Sequence, residues 1–311
     1  MTSFDEFAAI AEKVSNWGRW GADDQLGTLN LITPEVRRRA AASVVTGEAV
    51  PMSLVFSLNG VQVQDGKGVP GRINPVRTML ATNLPMGPDP AVAYSDDIVV
   101  TPLQAATHWD ALSHVSWRGR MYNGVRADVV DYAGAHQLSI DRVESIVTRG
   151  VLLDVARHEG VDSLPGGFEV TADLLRTTER AQGSEVLPGD AVFVRTGQMR
   201  HFLGGDLARY SSPNSGLGPD CALYFRERDV SAVGIDTRSF DLTTPLTVPE
   251  VVLPSHILCL VMLGLHAGQN FVLERLGERC AAEGRYHFLL EASPLRFERS
   301  TGGPVNAVAV L

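Results

Sequence analysis

At 311 residues the chain is long enough for one large domain or two ordinary ones, and 44% hydrophobic against 20% charged residues excludes a disordered polymer. Its 36 acidic and 27 basic residues leave a net charge of −9, with no cluster of Lys and Arg that follows a phosphate backbone, so nucleic acid is not an expected partner.

The opening segment MTSFDEFAAIAEKVSNW has acidic residues where a signal peptide needs basic ones and then an apolar run, so no export signal is expected. Thr33-Pro34-Glu35 sets a capping hydroxyl and a proline before VRRRAAASVV, which predicts a helix of about three turns ahead of Gly47. AVPMSLVF and VQVQ predict strands at 49–56 and 61–64, and DGKGVPG, NLP and GPDP mark turns between extended segments. A strand is predicted at RGVLLDVARH, 149–158. Thr171 caps a helix over ADLLRTTERAQ that stops at Gly183, VLPGDAVFVRTG turns into a strand, and Pro219 opens a helix over CALYFRERD before the strand SAVGID. The apolar run VVLPSHILCLVMLGL at 251–265 is interrupted by Pro254, Ser255 and His256 and is shorter than the roughly 20 residues a bilayer requires, so it reads as core and no membrane is expected. A helix over NFVLERLGERCAAEG and strands around YHFLLEAS and VNAVAVL close the chain. Alternating strands and helices, without repeats or low-complexity linkers, give one α/β domain built on mixed sheets. Cys221, Cys259 and Cys280 are widely spaced in apolar or helical contexts, which suits buried thiols in a reducing compartment, and a cytoplasmic location is expected.

GKGVPG at 66–71 matches GxGxxG in letters, but Pro70 interrupts it and INPVR follows in place of a helix, so no dinucleotide site is expected. The chemistry concentrates in ATHWDALSH, where His108, Asp110 and His114 fall within seven residues. On a strand, His108 and Asp110 leave the same face about 6.5 Å apart, close enough to converge on one ion. The chain must then turn, or start a helix that pairs Asp110 with His114 at i, i+4, to bring the second imidazole in. The alternative is that Asp110 orients a core or surface histidine and His114 is unrelated. Trp109, Ala111, Leu112, Val115 and Trp117 favour the ion, because so much polarity in an apolar setting is costly to bury without an ion or full hydrogen bonding.

These residues resemble the metal-dependent hydrolases of the cyclase family, which includes bacterial kynurenine formamidase and isatin hydrolase. The family motif HxGTHxDxPxH stands here as QAATHWDALSH: Thr107, His108, Asp110 and His114 match, while Gln104, Ala106 and Leu112 depart. NWGRWGADDQLGTLNLITPE, RGVLLDVAR, PGDAVFVRTG and GRYHFLLEASPLRFERSTGGPVN are similar to segments of the larger members, so the resemblance covers nearly the whole chain. The family's later histidine and glutamate fall on His256, in LPSH, and on Gln269, in GLHAGQ, where the acid has become an amide.

The resemblance implies a single-domain swivelling β/β/α fold with mixed sheets over residues 1–311, with residues 1–50 as an N-terminal extension packed on it, assembled as a homodimer or homotetramer. It implies one divalent ion per chain, Zn or Mn, held by His108, Asp110 and His114 with Gln269 completing the shell. Gln104 and Gln269 offer neutral amide oxygens, weak ligands for a second ion. His256 is expected to be a proton shuttle or additional ligand, the alternative being a buried histidine bonded to a backbone carbonyl. The expected reaction is opening of an amide, lactam or formamide bond in a small aromatic or cyclic substrate by a metal-bound hydroxide. The alternatives are a lactone or cyclic imide substrate, or a catalytically silent binding protein. Trp17, Trp20 and Phe56 are candidates for an aromatic pocket, with core packing equally open. His266 is a weaker candidate, and His136, His158, His201 and His287 are assigned to surface or packing roles.

Overall fold

The computed structural model describes residues 2–63, 69, 71–89, 91–242 and 244–311. Through them runs a nine-stranded mixed sheet in the order Ala49–Pro51, Val308–Val310, His287–Glu291, Val147–Asp154, Ala191–Arg195, Ala232–Ile235, His266–Gln269, His108–Asp110, Gly302–Pro304. The four strands from Val147–Asp154 to His266–Gln269 are parallel to one another. Both wings are antiparallel.

The parallel strands are buried on both faces, so residues 151–153, 191–194 and 232–235 are apolar runs rather than alternating ones, while His266–Gln269 is buried with polar ends. Helical segments make the crossovers between them: Ala172–Gln182, Cys221–Glu227, and the π-helix Ile257–Leu263, which is buried along its length. Local chemistry sets the first of these. Thr171 accepts the N–H of Leu174 at its start, and Gly183 takes the left-handed conformation, φ 61°, at its end. The mixed α/β class read from the sequence is the class observed, and Cys221, Cys259 and Cys280 are free, buried thiols. Among the described residues no helix is long and apolar enough to cross a membrane.

Several boundaries differ from expectation, each for a local or tertiary reason. The helix from Pro34 ends at Ala41, where the Ser43 hydroxyl turns back onto the carbonyl of Ala40 and competes with continuation. The strand expected over 49–56 shrinks to Ala49–Pro51 on the sheet edge, a position where proline's missing N–H is tolerated. Residues 61–63 form no strand. Val61 and Gln62 are buried instead, with the Gln62 N–H donating to Asn74 Oδ1. Gln64 and most of GKGVPG lie outside the described residues. The helix expected from Asn270 begins at Glu274, because Asn270, Phe271 and Val272 give their N–H groups to Thr237, Ile235 and Met52. Gly302–Pro304, to which the sequence assigns no element, is an edge strand paired with the His108–Asp110 strand.

That last pairing positions the site. Trp109 leaves the face opposite to His108 and Asp110 and packs on Phe271, ring centroids 5.1 Å apart, and on Phe193 at 6.3 Å. Its indole N–H donates to the Ala292 carbonyl at 2.8 Å. Gly268, paired with Trp109, leaves room for the ring: a Cβ there would lie 2.6 Å from both the indole and Phe271. The aromatic anchor therefore fixes which way the two polar neighbours of Trp109 face.

One element stands apart from this body. The hairpin Val76–Pro85 and Ala93–Val100 is a two-stranded sheet of its own, and all but Ala81 of its strand residues are exposed.

Candidate metal centre

The site begins with the three-residue strand His108–Asp110, which is buried throughout. Alternation along it puts His108 and Asp110 on one face, and antiparallel register places Gln269 directly opposite His108 on that face. After Asp110 the chain turns without forming a helix: the His114 N–H donates to the Ala111 carbonyl at 2.9 Å, and the turn carries the second imidazole back to the carboxylate. Thr107 ties the strand down from behind, donating to the Asn270 carbonyl at 2.6 Å and accepting the Leu54 N–H.

Asp110 Oδ1 lies 3.5 Å from His108 Nε2 and 3.7 Å from His114 Nε2. The His108 Nδ1–H is committed to the Ala106 carbonyl at 2.7 Å, which leaves a lone pair on Nε2. Both His108 Nε2 and Asp110 Oδ1 are buried with no hydrogen-bond partner. Two orphaned acceptors facing each other at 3.5 Å would be unfavourable in an apolar setting. A cation between them removes the conflict: donors about 2.1 Å from a tetrahedral ion stand about 3.4 Å apart. His114 is the open side of the trio, with 23% of its side chain exposed toward the cleft. Among the described residues no group of three or more His, Cys, Asp and Glu side chains is drawn together closely enough to hold a metal ion as it stands. The trio is instead an open arrangement centred on the carboxylate, and its donor set and orphaned atoms fit a divalent ion.

Burial works to raise Asp110, but the imidazoles of His114, His108 and His256 outweigh it and hold the carboxyl well below the usual range. Burial pushes His114 down, toward the neutral form a metal ligand requires, against the opposing pull of Asp110.

His256 comes from the other wall. Leu253 adopts a left-handed conformation, φ 59°, and Pro254 then starts the helical turn that delivers the imidazole at the head of the π-helix. Asp241 fixes that imidazole, accepting its Nδ1–H together with the backbone N–H groups of His256 at 3.1 Å and Ser255 at 2.5 Å. His256 Nε2 then faces Asp110 Oδ2 at 3.6 Å and the Gln269 amide nitrogen at 3.0 Å. The same nitrogen of Gln269 donates to Asp110 Oδ2 at 2.9 Å, so the amide spans the carboxylate and the second-wall histidine. Burial pulls His256 down, yet hydrogen bonds to Asp110 and Asp241 raise it to about 9.

The structure therefore brings His108, Asp110, His114, His256 and Gln269 together. Gln104 is buried against Gly302, and Trp17 sends its indole N–H to the Val261 carbonyl. Trp20 lies under Arg19, and Phe56 lines a separate groove with Leu58 and Ile98. His266 is buried beside the site, its Nδ1 3.1 Å from the Asp110 carbonyl. Sequence reading missed Asp241, Arg72 and Arg238. The two arginines line the cleft of about 330 Å3 that opens on His114, His256 and Gln269.

Comparisons with known proteins find relatives by sequence and by fold. Residues 43–242 match the family described as Putative cyclase. Isatin hydrolase from Roseibium aggregatum is 27% identical over 216 residues, 67% of this chain and 71% of that protein. A crystal structure described as a novel cyclase superposes with TM-score 0.87 at 35% identity, over 97% of this chain and 99% of that one. The structure of a predicted metal-dependent hydrolase from Bacillus stearothermophilus shares the fold at TM-score 0.55 and 14% identity, over 84% of this chain and 97% of that one. With the matched region running through the His108–Asp110 strand and on to Asp241, the chain belongs to the cyclase family.

Proposed function

We propose that the protein is a metal-dependent hydrolase that opens an amide, lactam or formamide bond, using one Zn or Mn ion per chain. The observation that carries this reading is the facing pair of buried, unpartnered acceptors, His108 Nε2 and Asp110 Oδ1, with His114 Nε2 beside them. The isatin hydrolase relative supports the reaction class. An ion held by these residues, with Gln269 beside it, supplies Lewis acidity toward a carbonyl oxygen and acidifies water.

The chain's own residues do the rest. His108 is held in one tautomer by the Ala106 carbonyl, so it enters the reaction already oriented. His256 has a partner in each protonation state. Neutral, its Nε2 accepts from Gln269; protonated, it faces the Asp110 carboxylate, with Asp241 holding Nδ1–H in both. That pairing lets it take a proton at Nε2 and return it to the leaving nitrogen. Replacing His256 by Ala is expected to lower kcat by roughly 10²–10⁴-fold while metal content stays the same. Unchanged turnover on a panel of N-formyl anilines, isatins and lactams would remove the shuttle role.

We also place self-association in this reading, as a homodimer or homotetramer. Between Val76 and Val100, Val76, Met79, Leu80, Leu84, Met86, Val92, Tyr94, Ile98, Val99 and Val100 are 37–64% exposed. These side chains leave both faces of the two-stranded ribbon apolar and exposed, and about half of their total exposed area, on the order of 450 Å², lies on either face. An isolated two-stranded hairpin is marginal in water, and a second copy of this chain packed on it would cover these side chains.

A further inference from the structure

Behind His108 lies a second layer of polar side chains centred on Asn270, which follows Gln269 at the end of the strand His266–Gln269. Asn270 is 1% exposed and lies in the left-handed region at φ 59°, which asparagine adopts more readily than most residues with a Cβ. Each of its four polar groups is engaged. The N–H donates to the Thr237 carbonyl at 3.0 Å, and the carbonyl accepts the Thr107 hydroxyl at 2.6 Å. In the side chain, Oδ1 accepts the Tyr210 hydroxyl at 2.6 Å and Nδ2 donates to the Ala106 carbonyl at 3.2 Å.

That carbonyl is the one that accepts the His108 Nδ1–H at 2.7 Å. Its two lone pairs are filled by the imidazole and by the Asn270 amide, so the amide holds the oxygen against which the ring is set. The amide has one workable orientation. Turned over, it would press Oδ1 against a carbonyl that can only accept. With Nδ2 toward Ala106, Oδ1 faces Tyr210, whose hydroxyl must donate. Tyr210 is fully buried, and burial raises its pKa well above the usual tyrosine value, so the proton stays in place. Its ring is seated on Phe202, centroids 5.9 Å apart, and on Val61 and Met199. A buried polar network whose members are all satisfied rigidifies what it touches, and here it touches the support of His108.

We propose that Tyr210 and Asn270 are positioning residues for His108. The hydroxyl orients the amide, the amide fixes the Ala106 carbonyl, and the carbonyl holds Nδ1–H so that Nε2 faces Asp110. By this route the pair sets metal affinity, a consequence that rests on the metal-dependent reading above; the positioning of the ring does not.

Asn270→Gly removes the amide at a backbone conformation glycine adopts freely, and Tyr210→Phe removes one hydroxyl while keeping the ring. Zinc affinity is measured by competition with a chromophoric chelator, and exchange of the His108 Nδ1 proton with water by NMR, in metal-free and zinc-loaded protein. Asn270→Gly is expected to weaken zinc binding about 10–100-fold and to speed the proton exchange about tenfold or more. Tyr210→Phe is expected to do both to a smaller degree, and to add nothing in the Asn270→Gly background, because the hydroxyl acts only through the amide. Two residues that merely support the fold would give additive losses instead, and additivity overturns the relay. Thermal melts report folding, and Tyr210→Phe carries the test if the glycine variant does not fold. Unchanged proton exchange in the folded variants overturns the positioning role, whatever the zinc affinity does. Faster exchange at unchanged affinity keeps the hold on the ring and overturns its consequence for the metal. A wild type that binds no zinc removes the metal reading, and the exchange rates then decide the positioning role by themselves.

Discussion

Asp241→Asn probes a residue that touches no substrate in the proposed scheme and yet decides what His256 can do. The carboxylate accepts three N–H groups: Ser255 N at 2.5 Å on one oxygen, His256 N at 3.1 Å and His256 Nδ1 on the other. An amide accepts only on its oxygen, so whichever way Asn turns, at least one buried N–H loses its acceptor. One such loss costs about 1–3 kcal/mol, and losing both donors on the His256 side costs about 2–6 kcal/mol. If the NH2 faces the imidazole, the ring proton must move to Nε2, where it meets the Gln269 amide nitrogen now 3.0 Å away. The imidazole then enters the cycle as the wrong tautomer, and kcat is expected to fall by roughly 10²–10⁴-fold. Steady-state kinetics measure the loss, and long-range ¹⁵N–¹H spectra recorded above pH 9, where the wild-type imidazole is neutral, report the tautomer directly. A variant that keeps kcat within threefold of the wild type, or that shows the Nδ1–H tautomer unchanged, would refute the positioning role.

Two further outcomes follow from other parts of the molecule. Burial lowers His266 to about 4, so in the metal-free protein it stays neutral when folded while the unfolded chain takes up a proton near its ordinary value. Its contribution, about 3 kcal/mol, is complete above pH 6.5 and is lost as pH falls toward 4. Urea unfolding of metal-free wild type and His266→Asn should therefore differ in slope across that window; parallel profiles would contradict the assignment. On the hairpin, Leu80→Glu puts a charge at a side chain 64% exposed. Light scattering is expected to show a smaller assembly with an unchanged circular dichroism spectrum, and an unaltered mass would remove the hairpin from the interface.

How far the sequence could be read depended on where the partners lie along the chain. His108, Asp110 and His114 are neighbours, and a short strand followed by a turn is enough to converge them, so their spacing together with the apolar residues around them made the grouping legible. The turn rather than a helix after Asp110 is set by contacts the spacing does not contain, such as the Ala111 N–H to the Thr301 carbonyl. Asp241 was invisible because FDLTTP carries no motif and reaches His256 only when the parallel strands assemble. Arg72 and Arg238 were hidden in the same way, more than 160 residues apart and joined by one cleft. In the fold, the Thr171 to Gly183 helix was readable because both signals are local. The late start at Glu274 was not, because backbone bonds to Thr237, Ile235 and Met52 override the helical propensity of the preceding residues.

The central claim concerns His108, Asp110 and His114, and crystals grown with zinc or manganese test it through anomalous scattering together with the metal content of the dissolved protein. The account predicts one equivalent per chain, with the anomalous peak in contact with His108 Nε2, Asp110 Oδ1 and His114 Nε2. No peak among these three side chains in metal-replete crystals would contradict it, as would two equivalents per chain.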